Sequence, residues 1–187
     1  KFKNGSPELL KTESLFNNPV FRFPFVSFTD AFNMLWLGSL EGGLFLVDKK
    51  NNYQRIKSIN KGNPTSGDLK SDRISYLLKD SKDRIWIGTY NGLHIYNSKD
   101  TTVHPVESYY RITGEFTGNI ITCIDEDNKG NIWIGTPNGL NRLTETADSI
   151  FTVDYFTEND GLASNFIKGI AHDINGNIWV STNIGIT

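Results

Sequence analysis

The sequence lacks most of the features that assign a chain to a class at first sight. It has one cysteine, Cys123, so no disulfide can form within the chain. No apolar run approaches the roughly 18 residues that a membrane helix needs, and the first residues do not resemble a signal peptide. The net charge is −2, with lysines and arginines scattered. A nucleic-acid-binding protein needs a basic surface that displaces counterions from phosphates, so that class is excluded.

Residues that carry out chemistry are also few. The histidines His94, His104 and His172 stand apart from one another, and we expect each to be a surface or packing residue. Cys123 lies in the apolar stretch "IITCIDED" and is expected to be a small buried residue on a strand. The sequence therefore predicts no catalytic residue, no metal site and no cofactor.

Internal repetition is the most informative feature that is present. Four segments align, and each has a tryptophan six residues after an aspartate. The tryptophans are Trp36, Trp86, Trp133 and Trp179, and the aspartates are Asp30, Asp80, Asp127 and Asp173. Successive tryptophans are 50, 47 and 46 residues apart. Agreement at two positions in four copies indicates a structural repeat.

One unit of the repeat is expected to form four short antiparallel strands. In the third copy the strands are "NIITCIDED" (119–127), "IWIGT" (132–136), "LNRLT" (140–144) and "SIFTVDYFT" (149–157). Turns rich in Gly and Asn separate them, and no window shows a helical period. A repeat of this length with four strands is typical of a β-propeller blade, so an all-β propeller is predicted.

The strand "IWIGT" is apolar at successive positions instead of alternating. This pattern indicates a strand that is buried on both faces, as in a blade packed between two others. We expect Trp86, Trp133 and Trp179 to wedge between blades, where burying an indole is worth roughly a few kcal/mol. The glycines Gly88 and Gly135 should allow close approach of the neighbouring blade.

The repeated aspartate has two interpretations. An Asp before a short turn accepts hydrogen bonds from backbone N–H groups that follow it, which is a structural role. The stretch "DEDNKG" also resembles the start of a calcium loop. However, Lys129 occupies a ligand position there, and Thr136 stands where such a loop needs a Glu. The structural role is therefore favoured.

The repeat defines the expected organisation of the chain. Residues 1–24 are a leader that could be the outer strand of a preceding blade. The blades are expected at 25–60, 73–112 and 119–157, with a partial fourth blade at 166–187. Closed propellers have about 4–8 blades, so the chain is expected to be a fragment of a larger, seven-bladed propeller. The expected partners are the remaining blades or a second copy of the chain, which could close the ring head to tail.

The stretches "DNKGNIWIGTPNGLNRL" and "YFTENDGLASNFIKGIAHDINGNIWVSTNIGIT" resemble the two-component regulator propeller repeat. The resemblance extends from about Pro24 to Thr187, although the first copy departs from it with "AFNML" and "GSLEGG". The residues that match the pattern are Asp127, Gly130, Trp133, Gly135, Thr136, Gly139, Leu140, Gly161, Leu162 and Asn165.

The resemblance implies a function as well as a fold. Proteins with this repeat are typically hybrid two-component sensor histidine kinases of bacteria, and the blades form their periplasmic, extracytoplasmic region. Many of these sensors respond to glycan breakdown products and regulate polysaccharide-utilisation genes. A non-catalytic sensor or binding module is therefore expected. A propeller enzyme, either a glycosidase or a lyase, and a protein-interaction scaffold are the alternatives.

The loops after the second and fourth strands of each blade are the expected place for a ligand. They share one face and vary more between copies than the loops on the other face, and variable loops on a rigid face usually carry recognition. The candidate ligand-binding residues are Glu41, Tyr90, Asn91, Phe116, Asn138 and Asn183. Each of them could equally be an ordinary turn or packing residue. Asn91 and Asn138 precede glycines, so a turn alone explains them.

The enzyme alternative has little support in the sequence. A glycosidase needs two facing carboxylates that are about 5–9 Å apart. The acidic residues of this chain lie mostly at the repeated turns, and none stands in a distinctive context on an inner strand. A binding role is therefore the better interpretation.

Overall fold

The computed structural model describes residues 2–3, 6–7, 24–30, 32–50, 54–63, 67–99, 101–147 and 149–187. Their regular structure is almost entirely antiparallel β-sheet. A short pair, β1 (Phe2–Lys3) and β2 (Ser6–Pro7), comes first. The rest of the predicted leader, apart from Pro24, lies outside the described residues.

The first two copies of the repeat each form a four-stranded sheet with the strands in chain order. The first sheet consists of β3 (Pro24–Thr29), β4 (Met34–Ser39), β5 (Leu44–Asp48) and β6 (Gln54–Ile59). The second sheet consists of β7 (Ile74–Lys79), β8 (Ile85–Thr89), β9 (Gly92–Asn97) and β10 (Thr102–Pro105). A one-turn helix, α1 (Val106–Tyr109), follows the second sheet.

The third sheet has one strand more than the repeat predicts. Its four repeat strands are β12 (Cys123–Glu126), β13 (Ile132–Thr136), β14 (Gly139–Ala147) and β15 (Ile150–Phe156). The extra strand, β11 (Arg111–Thr113), pairs in parallel with β15. Residues 111–112 were expected in the second blade, and this placement is wrong. They pair with the third sheet because β15 has a free edge there, whereas β10 ends at Pro105.

The fourth copy forms the strands β16 (Ile167–His172) and β17 (Ile178–Thr182). A bridge from Ser181 to Ile186 starts a third strand beside β17. A 3-10 turn (Glu158–Asp160) links the third and fourth sheets. Sheets of this kind, repeated along the chain, confirm the all-β propeller architecture.

The first three tryptophans each face the sheet that follows their own. Trp36 meets Tyr96 of the second sheet edge-on at 4.8 Å, and Trp86 meets Phe151 of the third sheet at 6.0 Å. Trp133 packs in one cluster with Ile167 and Val180 of the fourth sheet. The exposed fractions are 2% for Trp36, 0% for Trp86 and 8% for Trp133, but 52% for Trp179. Trp179 therefore does not wedge between sheets, because no described sheet follows the fourth.

The glycine two residues after the tryptophan, within the same strand, lets the sheets approach closely. A Cβ on Gly88 would lie 2.7 Å from Ile121 Cγ2, just before the inner strand of the third sheet. A Cβ on Gly135 would lie 2.7 Å from Ile167 Cγ2 and 2.5 Å from Cys123 Sγ. Any larger side chain at these positions would push neighbouring sheets apart, which explains the repeated glycine.

Candidate functional site

The repeated aspartates cap the turn between the first and second strands of each sheet. One carboxylate oxygen accepts hydrogen bonds from the backbone N–H groups two and four residues later. In the third sheet, Asp127 Oδ1 accepts from Lys129 N and Asn131 N, both at 2.9 Å. Equivalent pairs of bonds occur at Asp30, Asp80 and Asp173. These are the turn bonds that the structural interpretation predicts.

The second carboxylate oxygen accepts a hydrogen bond from the indole N–H six residues later. The Nε1 to Oδ2 distances are 2.9 Å for Trp36, 2.8 Å for Trp86, 2.8 Å for Trp133 and 3.1 Å for Trp179. Sequence reasoning noted the constant spacing of six residues but missed this bond. The spacing is the signal, because the aspartate pairs across the turn with the residue four positions later. The tryptophan lies two residues further along the strand, on the same face of the sheet.

In the third and fourth sheets these bonds lower the pKa of the capping aspartate. Burial by itself would raise the pKa of Asp127, but hydrogen bonds from Asn131 and Trp133 outweigh it and hold the pKa below its usual value. Hydrogen bonds from Asn177 lower the pKa of Asp173 to about 2. The carboxylates thus bind N–H donors of their own turns. Among the described residues, no group of three or more His, Cys, Asp or Glu is arranged to hold a metal ion.

The loops after the second strands, where ligand contacts were expected, are more uniform than their sequences indicate. The hydroxyl of Thr136 accepts a hydrogen bond from Asn138 N at 3.1 Å and donates one to Gly139 O at 3.0 Å. Thr89 and Thr182 make the same two bonds in their own loops. The second-strand loops of the second, third and fourth sheets therefore share one turn type, and their variable side chains sit on a constant backbone. In the first sheet the bond differs, because Ser39 Oγ accepts from Gly42 N.

The structure places the six predicted ligand residues along one edge of the sheets. Two of them, Asn138 and Phe116, lie close together. Asn138 Nδ2 donates a hydrogen bond to the carbonyl of Thr117, the residue after Phe116, at 3.1 Å. The ring of Phe116 packs against the core between the second and third sheets. The guanidinium of Arg73 lies 4.4 Å from the ring centre of Tyr90. The remaining three, all of them exposed turn residues, are Glu41, Asn91 and Asn183.

A cavity of about 300 Å³ lies at this edge and includes one of the predicted residues, Asn91. His94 lines it, is buried, and accepts a hydrogen bond from Lys70 N at 3.1 Å through Nε2. Burial lowers the pKa of His94 to about 4, so the imidazole is neutral at physiological pH. The equivalent residue of the third sheet is Asn141, whose Oδ1 accepts a hydrogen bond from Thr117 N at 2.9 Å. Both side chains accept from a nearby backbone N–H, so the role of His94 is structural.

A larger cavity of about 670 Å³ opens between the first and second sheets, at the opposite edge. Its walls come from the turn after β3, from β4, from the turns that flank β8 and β9, and from α1. None of the six predicted residues lines it. Sequence reasoning missed this cavity because its two walls belong to different copies of the repeat, and their distance depends on how the sheets pack.

The other two histidines are surface residues with partners. His172 Nδ1 and Asp125 Oδ2 are 2.8 Å apart and join the inner strands of the third and fourth sheets. This hydrogen bond raises the pKa of His172 above its usual value. The ring of His104 stacks on Tyr109 at 5.1 Å. The thiol of Cys123 is buried, and burial raises its pKa to about 11, so it is not a reactive thiolate.

Comparison with known families identifies the repeat. Residues 68–91, 115–138 and 161–183 match the model of the family described as two component regulator propeller. These three segments match the two-component regulator propeller repeat. Each two-component regulator propeller match includes one of the capped turns and its tryptophan strand. The first copy, which departs from the pattern, lies outside the three matched stretches.

Solved structures extend the similarity beyond the repeat. The chain is 28% identical to the extracellular domain of a hybrid two component system from B. thetaiotaomicron, with a TM-score of 0.68. The match covers 87% of this chain and 21% of that one. A second B. thetaiotaomicron extracellular domain, from a one component system, has 23% identity and a TM-score of 0.73 over 88% of this chain and 23% of its own. The chain thus spans about a fifth of the length of both proteins.

More distant propellers share the fold alone. A virginiamycin B lyase from Staphylococcus aureus is 13% identical, with a TM-score of 0.63, over 88% of this chain and 54% of the lyase. No curated protein matches the chain. Within the part of the chain that the structure describes, no helix is long and apolar enough to span a membrane.

Proposed function

We propose that this chain is a non-catalytic, ligand-sensing segment of the periplasmic region of a bacterial hybrid two-component sensor histidine kinase. We further propose that it detects oligosaccharides derived from glycans and that the parent protein regulates polysaccharide-utilisation genes. The observation that carries the proposal is the combination of three two-component regulator propeller repeats with similarity to an extracellular sensor domain over 87% of the chain.

The geometry of the described residues is compatible with a binding role. The carboxylates that recur along the chain accept hydrogen bonds from their own turns, so they are unavailable as general acids or bases. The sheets hold their loops in a fixed turn type, which presents side chains on a rigid edge. A ligand bound at such an edge would transmit a signal only through a difference in affinity between two states of the sensor.

Calorimetry with a panel of oligosaccharides from different polysaccharides tests this function. We expect one class to bind the complete extracytoplasmic region and to activate a reporter gene in cells that contain the sensor. Absence of binding by every member of the panel would count against glycan sensing. A reporter response without binding would place the ligand site elsewhere in the parent protein.

An enzyme is the second candidate, because the fold is shared with a lyase. This likeness is one of fold alone, at 13% identity. The test is product analysis after prolonged incubation of the same panel with the protein. Bond cleavage above the level of a heat-treated sample would favour the enzyme over the sensor.

A covering partner for the fourth sheet is also proposed. Trp179, Ile174, Ile184 and Ile186 are exposed on or beside this sheet, whereas the equivalent face of the third sheet packs against a neighbour. Exposed apolar surface of this kind favours association. Either the next blade or a second copy, arranged head to tail, would bury it. Light scattering of the isolated chain at high concentration distinguishes them, because a monomeric mass would contradict the second copy.

A further inference from the structure

Arg84 forms two ion pairs in the cleft between the second and third sheets, and the one with Glu145 crosses it. Arg84 Nε is 2.5 Å from Asp80 Oδ2, and Arg84 Nη1 is 3.0 Å from Glu145 Oε2. The guanidinium carbon also lies 5.3 Å from the ring centre of Trp86 and 5.4 Å from that of Phe151. A single side chain thus joins the two sheets and occupies the space beside the buried tryptophan.

The cleft between the first and second sheets has no counterpart of this ion pair. Arg84 stands four residues after the capping aspartate of its sheet, and the equivalent residue of the first sheet is Met34. Glu145 stands six residues after the glycine that starts β14, and the equivalent residue after the start of β9 is Ser98. Met34 and Ser98 both line the cavity of about 670 Å³. The cavity therefore lies where the neighbouring cleft holds a salt bridge.

Aromatic rings and basic side chains surround this space. Phe32 and Tyr109 line it and are 80% and 40% exposed. His104 stacks on Tyr109, so Phe32 is the more accessible of the two rings. Four of the lining side chains are cationic and two are acidic. Among the cations, Lys79 pairs with Asp83, and Lys82 and Arg84 both pair with Glu145. One of these acids, Asp30, already accepts three hydrogen bonds from its own turn and from Trp36. The lining thus has two more basic than acidic side chains, in a chain with a net charge of −2.

We propose that the cleft between the first and second sheets binds a small ring-shaped ligand with an acidic group, as a uronic acid unit of an oligosaccharide provides. The inference rests on the proposed sensing function and moves the ligand site to the edge opposite the six residues predicted from sequence. The volume is within the range of about 300–1,000 Å³ that is usual for small-molecule sites.

The chemistry of the walls determines this ligand class. The exposed ring of Phe32 and the exposed part of Tyr109 provide flat apolar surface for a ring, while the ammonium groups attract a carboxylate. Lys79 pairs with Asp83, whose side chain is 82% exposed, so this pair can open without burying an unpaired charge. Lys82 shares Glu145 with Arg84 and retains N–H donors for a ligand. A neutral sugar would use the rings but not the cations.

A variant that closes the cleft provides the test. The double substitution Met34→Arg and Ser98→Glu copies the ion pair of the neighbouring cleft into this one. The matched control is Asn177→Arg, which places an arginine at the same repeat position of the fourth sheet, away from the cleft. Circular dichroism and thermal unfolding should show both variants folded. A second variant, Lys79→Gln with Lys82→Gln, removes charge but leaves the space.

Binding is measured by calorimetry on the full chain with uronate oligosaccharides, neutral oligosaccharides of equal length and 4-hydroxybenzoate. We expect an acidic ligand to bind to the unaltered chain and to the control. Its affinity should fall at least about tenfold in the closed variant and about threefold to tenfold in the lysine variant, more so at low salt. Preference for the uronates or for the aromatic acid identifies the source of the acidic ring.

Other outcomes overturn the inference. If an acidic ligand binds the closed variant as tightly as the unaltered chain, the cleft is not the binding site. The proposal that the chain senses a ligand would still stand. Binding of neutral sugars alone would refute the acidic class and again leave sensing intact. A third outcome is that no oligosaccharide binds, the aromatic acid binds, and the closed variant abolishes binding of the aromatic acid. In that case glycan sensing by this chain fails and the cleft remains a ligand site. Absence of all binding to this chain refutes the cleft proposal, while glycan sensing is decided separately by the oligosaccharide panel on the complete extracytoplasmic region.

Discussion

Replacing Asp127 by asparagine should destabilise the protein much more than the same replacement at Asp173. The two residues have matching partners. Each accepts two backbone N–H bonds on Oδ1, and each accepts an asparagine amide and an indole N–H on Oδ2. The environments differ, because the indole of Trp133 is 8% exposed and that of Trp179 is 52% exposed. Asparagine preserves Oδ1 but places an NH₂ group where Oδ2 stood.

The expected cost at Asp127 follows from the bonds that are lost. Hydrogen bonds to a charged group contribute about 1.5–3 kcal/mol each, and a buried N–H without an acceptor costs about 1–3 kcal/mol. These terms overlap, so we expect the free energy of unfolding to fall by about 2–4 kcal/mol. For a chain of this size the fall corresponds to roughly 5–15 °C in Tm. At Asp173 water can accept the hydrogen bond of the exposed indole, so the change should be much smaller.

Thermal and urea unfolding, followed by tryptophan fluorescence and circular dichroism, measure both variants. Equal losses at Asp127 and Asp173 would refute the reasoning, because the cost would then come from the turn and not from the buried indole. Asp127→Ala provides a further reference, since it removes the turn bonds as well. Its loss should exceed that of Asp127→Asn by the contribution of the cap, about 0.5–2 kcal/mol.

Three further predictions concern packing and pH. Gly135→Ala should lower the free energy of unfolding in urea by about 1–3 kcal/mol, because its Cβ would lie 2.5 Å from Cys123 Sγ. The control Gly185→Ala, whose Cβ would have its nearest neighbour at 3.7 Å, should cost far less. Equal effects of the two substitutions would contradict the close approach at Gly135. The folded pKa of His94 is about 4 against an ordinary 6.5, so the unfolded chain binds the extra proton between these values. The free energy of unfolding should therefore fall as the pH drops from 7 to 4, by up to about 3 kcal/mol from this group. The variant His94→Asn, which has the residue of the third sheet at this position, should show a weaker dependence of stability on pH. An unchanged pH dependence would exclude His94 as its source. The raised pKa of His172 should return towards its ordinary value in Asp125→Asn when followed by NMR titration, and a pKa that does not move would rule out Asp125 as the cause.

Much of the fold could be predicted because the repeat is written in local residue patterns. A capping aspartate, a short turn and an apolar strand with a tryptophan define a strand pair without reference to the rest of the chain. These signals gave the propeller architecture and the positions of the second strands, such as Ile85–Thr89 and Ile132–Thr136. They did not reveal β11, because its pairing partner, β15, lies about forty residues later and is chosen by a free sheet edge.

The candidate site was predicted less well. Variation in loop sequence indicated the edge that carries Tyr90 and Asn138, but the turns there proved to share one hydrogen-bonded geometry through Thr89 and Thr136. The larger cavity lies at the other edge. Its existence depends on Met34 and Ser98, which have no distinctive motif and acquire meaning only beside Arg84 and Glu145.

The sequence by itself determined the repeating unit, since each unit is specified by residues within a few positions of one another. It also determined the family resemblance, which three matched stretches confirm. Only the tertiary structure decided which aspartate–tryptophan bonds are buried and which cleft is filled. Both depend on the separation of neighbouring sheets, and that separation results from side chains about fifty residues apart meeting across an interface.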